Sequence, residues 1–257
     1  MRFRISIALL TVIFSVNNAM CQESAPALKD DDTIVMATFR TENDYLGKWY
    51  KVVYAEISKR LGMKIELRTY PPKRTSIEAD AGNVDGEVAR PYRYADGHPN
   101  LVRVEESIVN VIFSAFAVKD SIPQLNGWGS LKGTNYRVEY RLGIKTTEDN
   151  LPKVVSSENL SAVTEQALGL KKLISGRIDL FADEESGILT LLQTPEFKKS
   201  KIRSAGVMDS LPVYPYLHKK HAALAPKMAE ILKAMSAEGL IEQYRIMLDK
   251  EFSVVRK

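Results

Sequence analysis

Two stretches of the chain, GNVDGEVAR at 82–90 and GRIDLFADE at 176–184, share one pattern: glycine, any residue, a β-branched residue, aspartate, an apolar run, then charge. The first ends on Arg90 and the second on Asp183 and Glu184. A guanidinium forks onto a carboxylate, and a carboxylate accepts from an ammonium. Held on opposite walls of a cleft, Arg90 and Asp183 would suit a zwitterion, whose two charges must both be paired once water is stripped away. The competing use of Asp183 is to cap a helix starting at Glu184. Asp85 and Asp179 stand at strand entrances and read as structural turn residues.

Gly143 in YRLGIKTTED allows a close backbone approach, and Lys145, Thr146 and Thr147 precede an expected helix, at whose start N–H groups favour anions. Signs of catalysis are few. The histidines are His98, His218 and His221, and HKKH has neither the spacing nor the glutamate of a zinc-protease helix, so it reads as a surface turn. GWGSLKG lacks the spacing of a dinucleotide loop, and no nucleophile-elbow, phosphate-loop or kinase motif occurs. No cofactor is expected.

The elements that must position these residues follow from hydrophobic period. TIVMATF at 33–39 and MKIELRTY at 63–70 read as strands around a helix with Trp49, Val53, Ile57 and Leu61 on one face, stopped by Gly62. Pro71 and Pro72 open a second helix that runs to the Gly82 corner, and VDGEVA is the next strand. This β-α-β-α-β order gives a parallel sheet covered by helices. A second unit repeats it: VNVIFSAFAV at 109–118, YRVEY at 136–140 and KVV at 153–155 as strands, one helix carrying Leu160, Val163, Ala167, Leu170 and Ile174, and then IDLFA. VYPYL and two short helices around Met228 to Met235 and Ile241 to Leu248 close the chain. Each glycine corner thus ends a helix, and Arg90 and Asp183 fall at the carboxyl ends of strands, where open parallel sheets collect ligands.

With 45% hydrophobic and 26% charged residues in 257, the chain can bury a substantial core. Arg2, Arg4, an apolar run from Ile5 to Val16 and the small-residue patch NNAMC give residues 1–21 the order of a secretory leader. Met20 and Asn18 make a poor lipid-attachment site before Cys21, the single cysteine. Removing the leader leaves 34 basic against 32 acidic residues, a formal charge of +2 with no basic block, which speaks against nucleic-acid binding.

Four segments in order, GNVDGEVARPYRYADGHPNLVRVEESI, GSLKG with the following strand and Gly143 turn, LKKLISGRIDLFAD, and LHKKHAALAPKMAEILKAMSAEGLIEQY, resemble the family 3 extracellular solute-binding proteins of polar amino acid importers. The resemblance implies an α/β, two-lobed, type II periplasmic-binding-protein fold: two parallel or mixed sheets, flanking helices and a two-strand hinge. Lobe 1 would comprise 27–112 plus 217–257, and lobe 2 residues 113–216. It further implies a non-enzymatic, monomeric periplasmic receptor that closes on a small polar solute, an amino acid or related carboxylate, for an ABC permease. A sensor docked on a membrane kinase or cyclase is the alternative, and a cyclohexadienyl dehydratase-like enzyme using Glu184 or Glu185 as proton donor a more distant one.

In that family the ligand's ammonium is taken by an aspartate at the position of Asp183. Its carboxylate-binding arginine follows a Thr-x-x-Arg pattern absent from VARPYRYADGHP, which leaves Arg90 and Arg93. Arg40, Glu42 and Tyr45 follow the first strand, where relatives place a side chain against the ligand.

Overall fold

The computed structural model describes residues 33–252, so the leader at 1–21 and Cys21 lie outside the described residues. TIVMAT forms β1 (Thr33–Thr38). Asp44 then caps α1 (Tyr45–Leu61) by accepting from the Gly47 N–H at 2.7 Å. The helix buries Trp49, Val53 and Ile57 at four-residue spacing and stops at Gly62, whose φ of 66° suits a residue without a side chain. β2 (Lys64–Thr69), α2 (Pro72–Asp80, opened by proline) and β3 (Gly86–Pro91) complete the first unit, with β1 parallel to both β2 and β3. β4 (Leu101–Arg103) and β5 (Val109–Ala117) follow.

The second unit is β6 (Val138–Arg141), α3 (Lys145–Asn150), β7 (Leu160–Val163), α4 (Gln166–Ile174), β8 (Leu180–Glu184) and α5 (Glu185–Leu192). Two expectations need correction here. KVV is not a strand: Pro152 opens a 3₁₀ turn at Leu151–Lys153, and Val154 and Val155 leave it as irregular chain. Leu160 and Val163 do not belong to the following helix either; they form β7, parallel to β6, and the helix starts only at Gln166. β9 (Arg203–His218), α6 (Ala225–Ala237) and α7 (Leu240–Glu251) close the chain.

The strands form one mixed sheet in the order β2-β1-β3-β9-β5-β8-β6-β7, with β4 also on β9, where two sheets were expected. The reason is the length of β9. Its 16 residues pair antiparallel with β5 from Arg203 to Val213 and with β3 from Val213 to Leu217, so one strand belongs to both halves. The cores nevertheless divide. One large cluster packs α1, α6 and α7 side chains such as Trp49, Ile57, Met228, Met235 and Leu248 on β1, β3 and the β9 end. Clusters around Leu131, Leu151 and Leu180, and around Phe116, Leu170 and Phe181, fill the other half.

The two aspartates at the strand entrances are structural. Asp85 accepts from the Val35 N–H at 2.7 Å and faces His221 Nε2 at 2.8 Å and Lys220 Nζ at 2.8 Å. Burial opposes its charge, but these partners hold its carboxyl below the usual range. Asp179 accepts from the Arg137 N–H at 3.0 Å and pairs the Arg137 and Lys119 side chains. HKKH is accordingly a turn fastened to the first corner. No cluster of metal-ligating side chains occurs among the described residues, and no helix among them is long and apolar enough to cross a membrane.

Candidate functional site

β1, β3, β6 and β8 deliver their last residues to one region, and three arginine–carboxylate pairs form there. Arg40, two residues beyond β1, reaches Glu184 at the end of β8, joining the two halves of the molecule. Glu184 also accepts from the Ser186 hydroxyl. Both partners are largely buried, with 16% of the Arg40 side chain and 9% of the Glu184 side chain exposed. Burial works against the Arg40 charge, but Glu184, together with Tyr50 and Asp44 nearby, more than offsets it and raises its pKa above the ordinary value. Even so, Arg40 Nε is buried without a hydrogen-bond acceptor among the described residues.

Arg90 pairs with buried Glu87 three residues earlier and donates from Nη2 to the Ser76 hydroxyl at 3.3 Å. Its guanidinium lies 5.0 Å from the Tyr94 ring centre and 5.1 Å from that of Phe39, and the same Phe39 ring is 5.0 Å from the Arg40 guanidinium. Two cations therefore share one aromatic ring, a geometry in which the ring quadrupole lowers the cost of bringing them together. The Tyr94 hydroxyl donates to Glu87 Oε1 at 2.7 Å and lies 2.5 Å from the Ser76 oxygen. Burial pushes its pKa up to about 12, so it acts as a neutral donor.

The third pair is Arg141 with Asp183, a fork of Nε to Oδ2 at 3.0 Å and Nη2 to Oδ1 at 3.2 Å. Asp183 is completely buried. Burial pushes its carboxyl pKa up, only partly countered by Arg141. It does not cap α5: its Oδ1 accepts from the adjacent Glu184 N–H, and the helix begins at Glu185 without a side-chain cap. Because neighbouring strand residues face opposite ways, burying Asp183 turns Glu184 toward Arg40.

Of the residues singled out from sequence, Arg40 and Arg90 are thus brought together around Phe39, and Asp183 lies in the same region locked to Arg141. The others are engaged by different partners. Arg93 is exposed and pairs with Asp96 at 2.8 Å, Glu42 is exposed and pairs with Lys51 at 3.0 Å, and Lys145 is exposed and pairs with Asp149 at 3.1 Å. Thr146 sits in the first turn of α3 and Tyr45 is buried, its hydroxyl donating to Asp249 at 2.7 Å. The region's remaining parts, Phe39, Tyr94 and Arg141, carried no motif; their only signal was position just beyond or within a strand end. Glu184, the last residue of the second corner, reads in sequence only as a proton donor and not as a partner of Arg40.

No family model matches the chain. An uncharacterized protein of Shewanella oneidensis is 33% identical over 243 residues, covering 92% of each chain. Among solved structures, the second substrate-binding domain of Lactococcus lactis GlnP in its open conformation superposes with a TM-score of 0.64 at 13% identity, over 89% of this chain and 98% of that one. The amino acid ABC transporter substrate-binding protein AbpA of Streptococcus pneumoniae, bound to L-arginine, gives 0.60 at 12%, over 88% and 98%. A histidine kinase sensor domain similar to periplasmic binding proteins gives 0.60 at 18%, over 84% and 95%. At such identities these likenesses speak for the fold. The chain belongs to the same family as the Shewanella oneidensis protein and is built on the two-lobed fold of periplasmic binding proteins.

Proposed function

We propose that the protein is an exported, monomeric solute-binding protein of the family 3 type, which closes on a small amino acid or related carboxylate and hands it to an ABC permease. The observation that carries this reading is the buried Arg40 Nε without an acceptor, beside Arg90 and across from Glu184. An orphaned buried donor on a cation is costly, and a ligand carboxylate satisfies it while leaving Glu184 to accept from the ligand's ammonium. Glu184 takes this part in preference to Asp183, whose oxygens are engaged by Arg141. In this reading lobe 1 is 27–112 plus 217–257 and lobe 2 is 113–216, supported by the division of the apolar clusters. Export to the periplasm rests on the leader-like residues 1–21.

A sensor feeding a membrane kinase is the second reading, favoured by the likeness to the kinase sensor domain. Both readings need the same closing receptor. The dehydratase-like alternative is less well supported, since Glu184 is tied to Arg40 and Glu185 accepts from the Ser114 hydroxyl at 2.6 Å.

The test is a thermal-shift screen of polar amino acids and small mono- and dicarboxylates, followed by calorimetry on Arg40→Gln and Arg90→Gln. A ligand present at a hundredfold excess over its Kd stabilises the folded state by about 2.7 kcal/mol. Each substitution should weaken the hit by about 2 kcal/mol or more, because the ligand charge is left buried and unpaired. A panel without hits, or variants that bind as tightly as the parent, would overturn the assignment.

A further inference from the structure

A cavity of about 550 Å³ opens beside the crossing strands, and none of the strand-end arginines lines it. Its apolar wall comprises Leu46 and Trp49 of α1, Ile108 and Val111 at β5, Leu189 of α5 and Ile241 of α7. Phe39, Arg40, Arg90, Tyr94 and Arg141 do not line it; of the polar cluster, Glu184 and the Ser186 that donates to it do. The volume falls within the range of about 300–1,000 Å³ typical of small-molecule sites.

The polar groups on its wall define what charge it would accept. Arg245 is engaged by Glu242 and by Asp249 at 2.6 Å, and Glu184 by Arg40. Glu106, also on the wall, makes no ion pair among the described residues; the neighbouring Arg103 pairs with Glu105 instead. Glu185, a further carboxylate on the wall, accepts from the Ser114 hydroxyl at 2.6 Å. The charge that Glu106 brings to the cavity is therefore negative, while the body of the cavity is aliphatic and aromatic.

We propose that this cavity is a second small-molecule site, for an apolar amine whose hydrocarbon part lies against Trp49, Ile108, Val111 and Leu189 and whose ammonium pairs with Glu106. The inference does not depend on the identity of the solute at the strand ends. Because α1, α5, α7 and the crossing strand all contribute, an occupant touches both halves of the fold and the segment that joins them. Binding there is thereby linked to the relative position of the halves, and the linkage is reciprocal.

The experiment uses the full mature chain carrying Trp128→Phe, which leaves Trp49 as the single tryptophan, and titrates it with phenethylamine and with the neutral 3-phenylpropanol. Phenethylamine should give a saturable change in Trp49 emission with a Kd of about 1 mM or below. The alcohol, and phenethylamine on Glu106→Gln, should bind roughly fivefold more weakly, the contribution of one partly exposed ion pair. Filling the cavity with Leu189→Phe should abolish the signal, and Ile241→Phe provides the same test should the first variant fold poorly. Retention of the signal in Arg90→Gln separates this site from the strand-end cluster. The proposal falls if phenethylamine gives no saturable change up to about 10 mM, if the alcohol and the amine bind equally, or if both filled variants still respond.

Discussion

The two glycine corners begin alike and finish differently. Gly82 and Gly176 both adopt positive φ, at 77° and 69°, and Asp85 and Asp179 both fasten the strand entrance to neighbouring chain. Yet Arg90 ends its corner beside two aromatic rings, keeping 15% of its side chain exposed, while Asp183 ends its own completely buried and bound by Arg141. A repeated motif therefore fixes where a side chain emerges along the chain. Which neighbour claims it depends on strand parity and on what the adjacent strand contributes.

The sharpest way to break this comparison is at the pair that bridges the halves. Arg40→Ala leaves the Glu184 carboxylate largely buried with only the Ser186 hydroxyl, and the expected loss is about 3 kcal/mol in urea unfolding. The double variant with Glu184→Gln should cost less than the sum of the two singles, because they share one interaction. Additivity would mean that the pair contributes nothing to joining the halves.

Asp183 sharpens the contrast through pH. A carboxyl whose folded pKa lies above its unfolded value binds more protons in the native state across the window between the two. Stability attributable to the group thus falls as pH rises from about 4, the unfolded value, through the raised folded one. Relative to Asp183→Asn, the parent should lose stability over that interval; equal pH profiles from acid to neutral would contradict the account.

The smallest effect distinguishes the corners themselves. A methyl group at Gly176 would meet nothing within 4 Å, so Gly176→Ala should cost only the left-handed backbone strain of about 1 kcal/mol. At Gly82 a Cβ would come within 3.0 Å of the His218 ring, so Gly82→Ala should cost somewhat more. The reverse order, measured by thermal unfolding, would show that the second corner is the more constrained.

The first unit was readable in sequence because its helices are bounded by unambiguous signals: Gly62, the Pro71–Pro72 pair and Gly82. The second unit misled at two places for a common reason. Leu160 and Val163 happen to continue the three- and four-residue spacing of Ala167, Leu170 and Ile174, although the chain breaks at Thr164 and Glu165 before α4 begins. KVV has strand-forming side chains, but Pro152 commits the segment to a tight turn. In the site, Arg40 and Arg90 were legible as strand-end cations. The choice between Asp183 and Glu184 was not, since it turns on which of two adjacent acids meets Arg141, and Arg141 comes from another strand 42 residues away.

β9 has a temporal consequence as well as an architectural one. It supplies the neighbour of β3, and α6 and α7 after it supply a wall of the largest apolar cluster. During synthesis the first 100 residues therefore emerge long before the strand and helices that complete their core, and they must wait for the last fifth of the chain. A sequence-distant closure of this kind slows folding and leaves apolar surface uncovered meanwhile. A ribosome-bound chain halted before Arg203 should remain protease-sensitive throughout its first unit, whereas release of the complete chain should protect β1, α1 and β3 together.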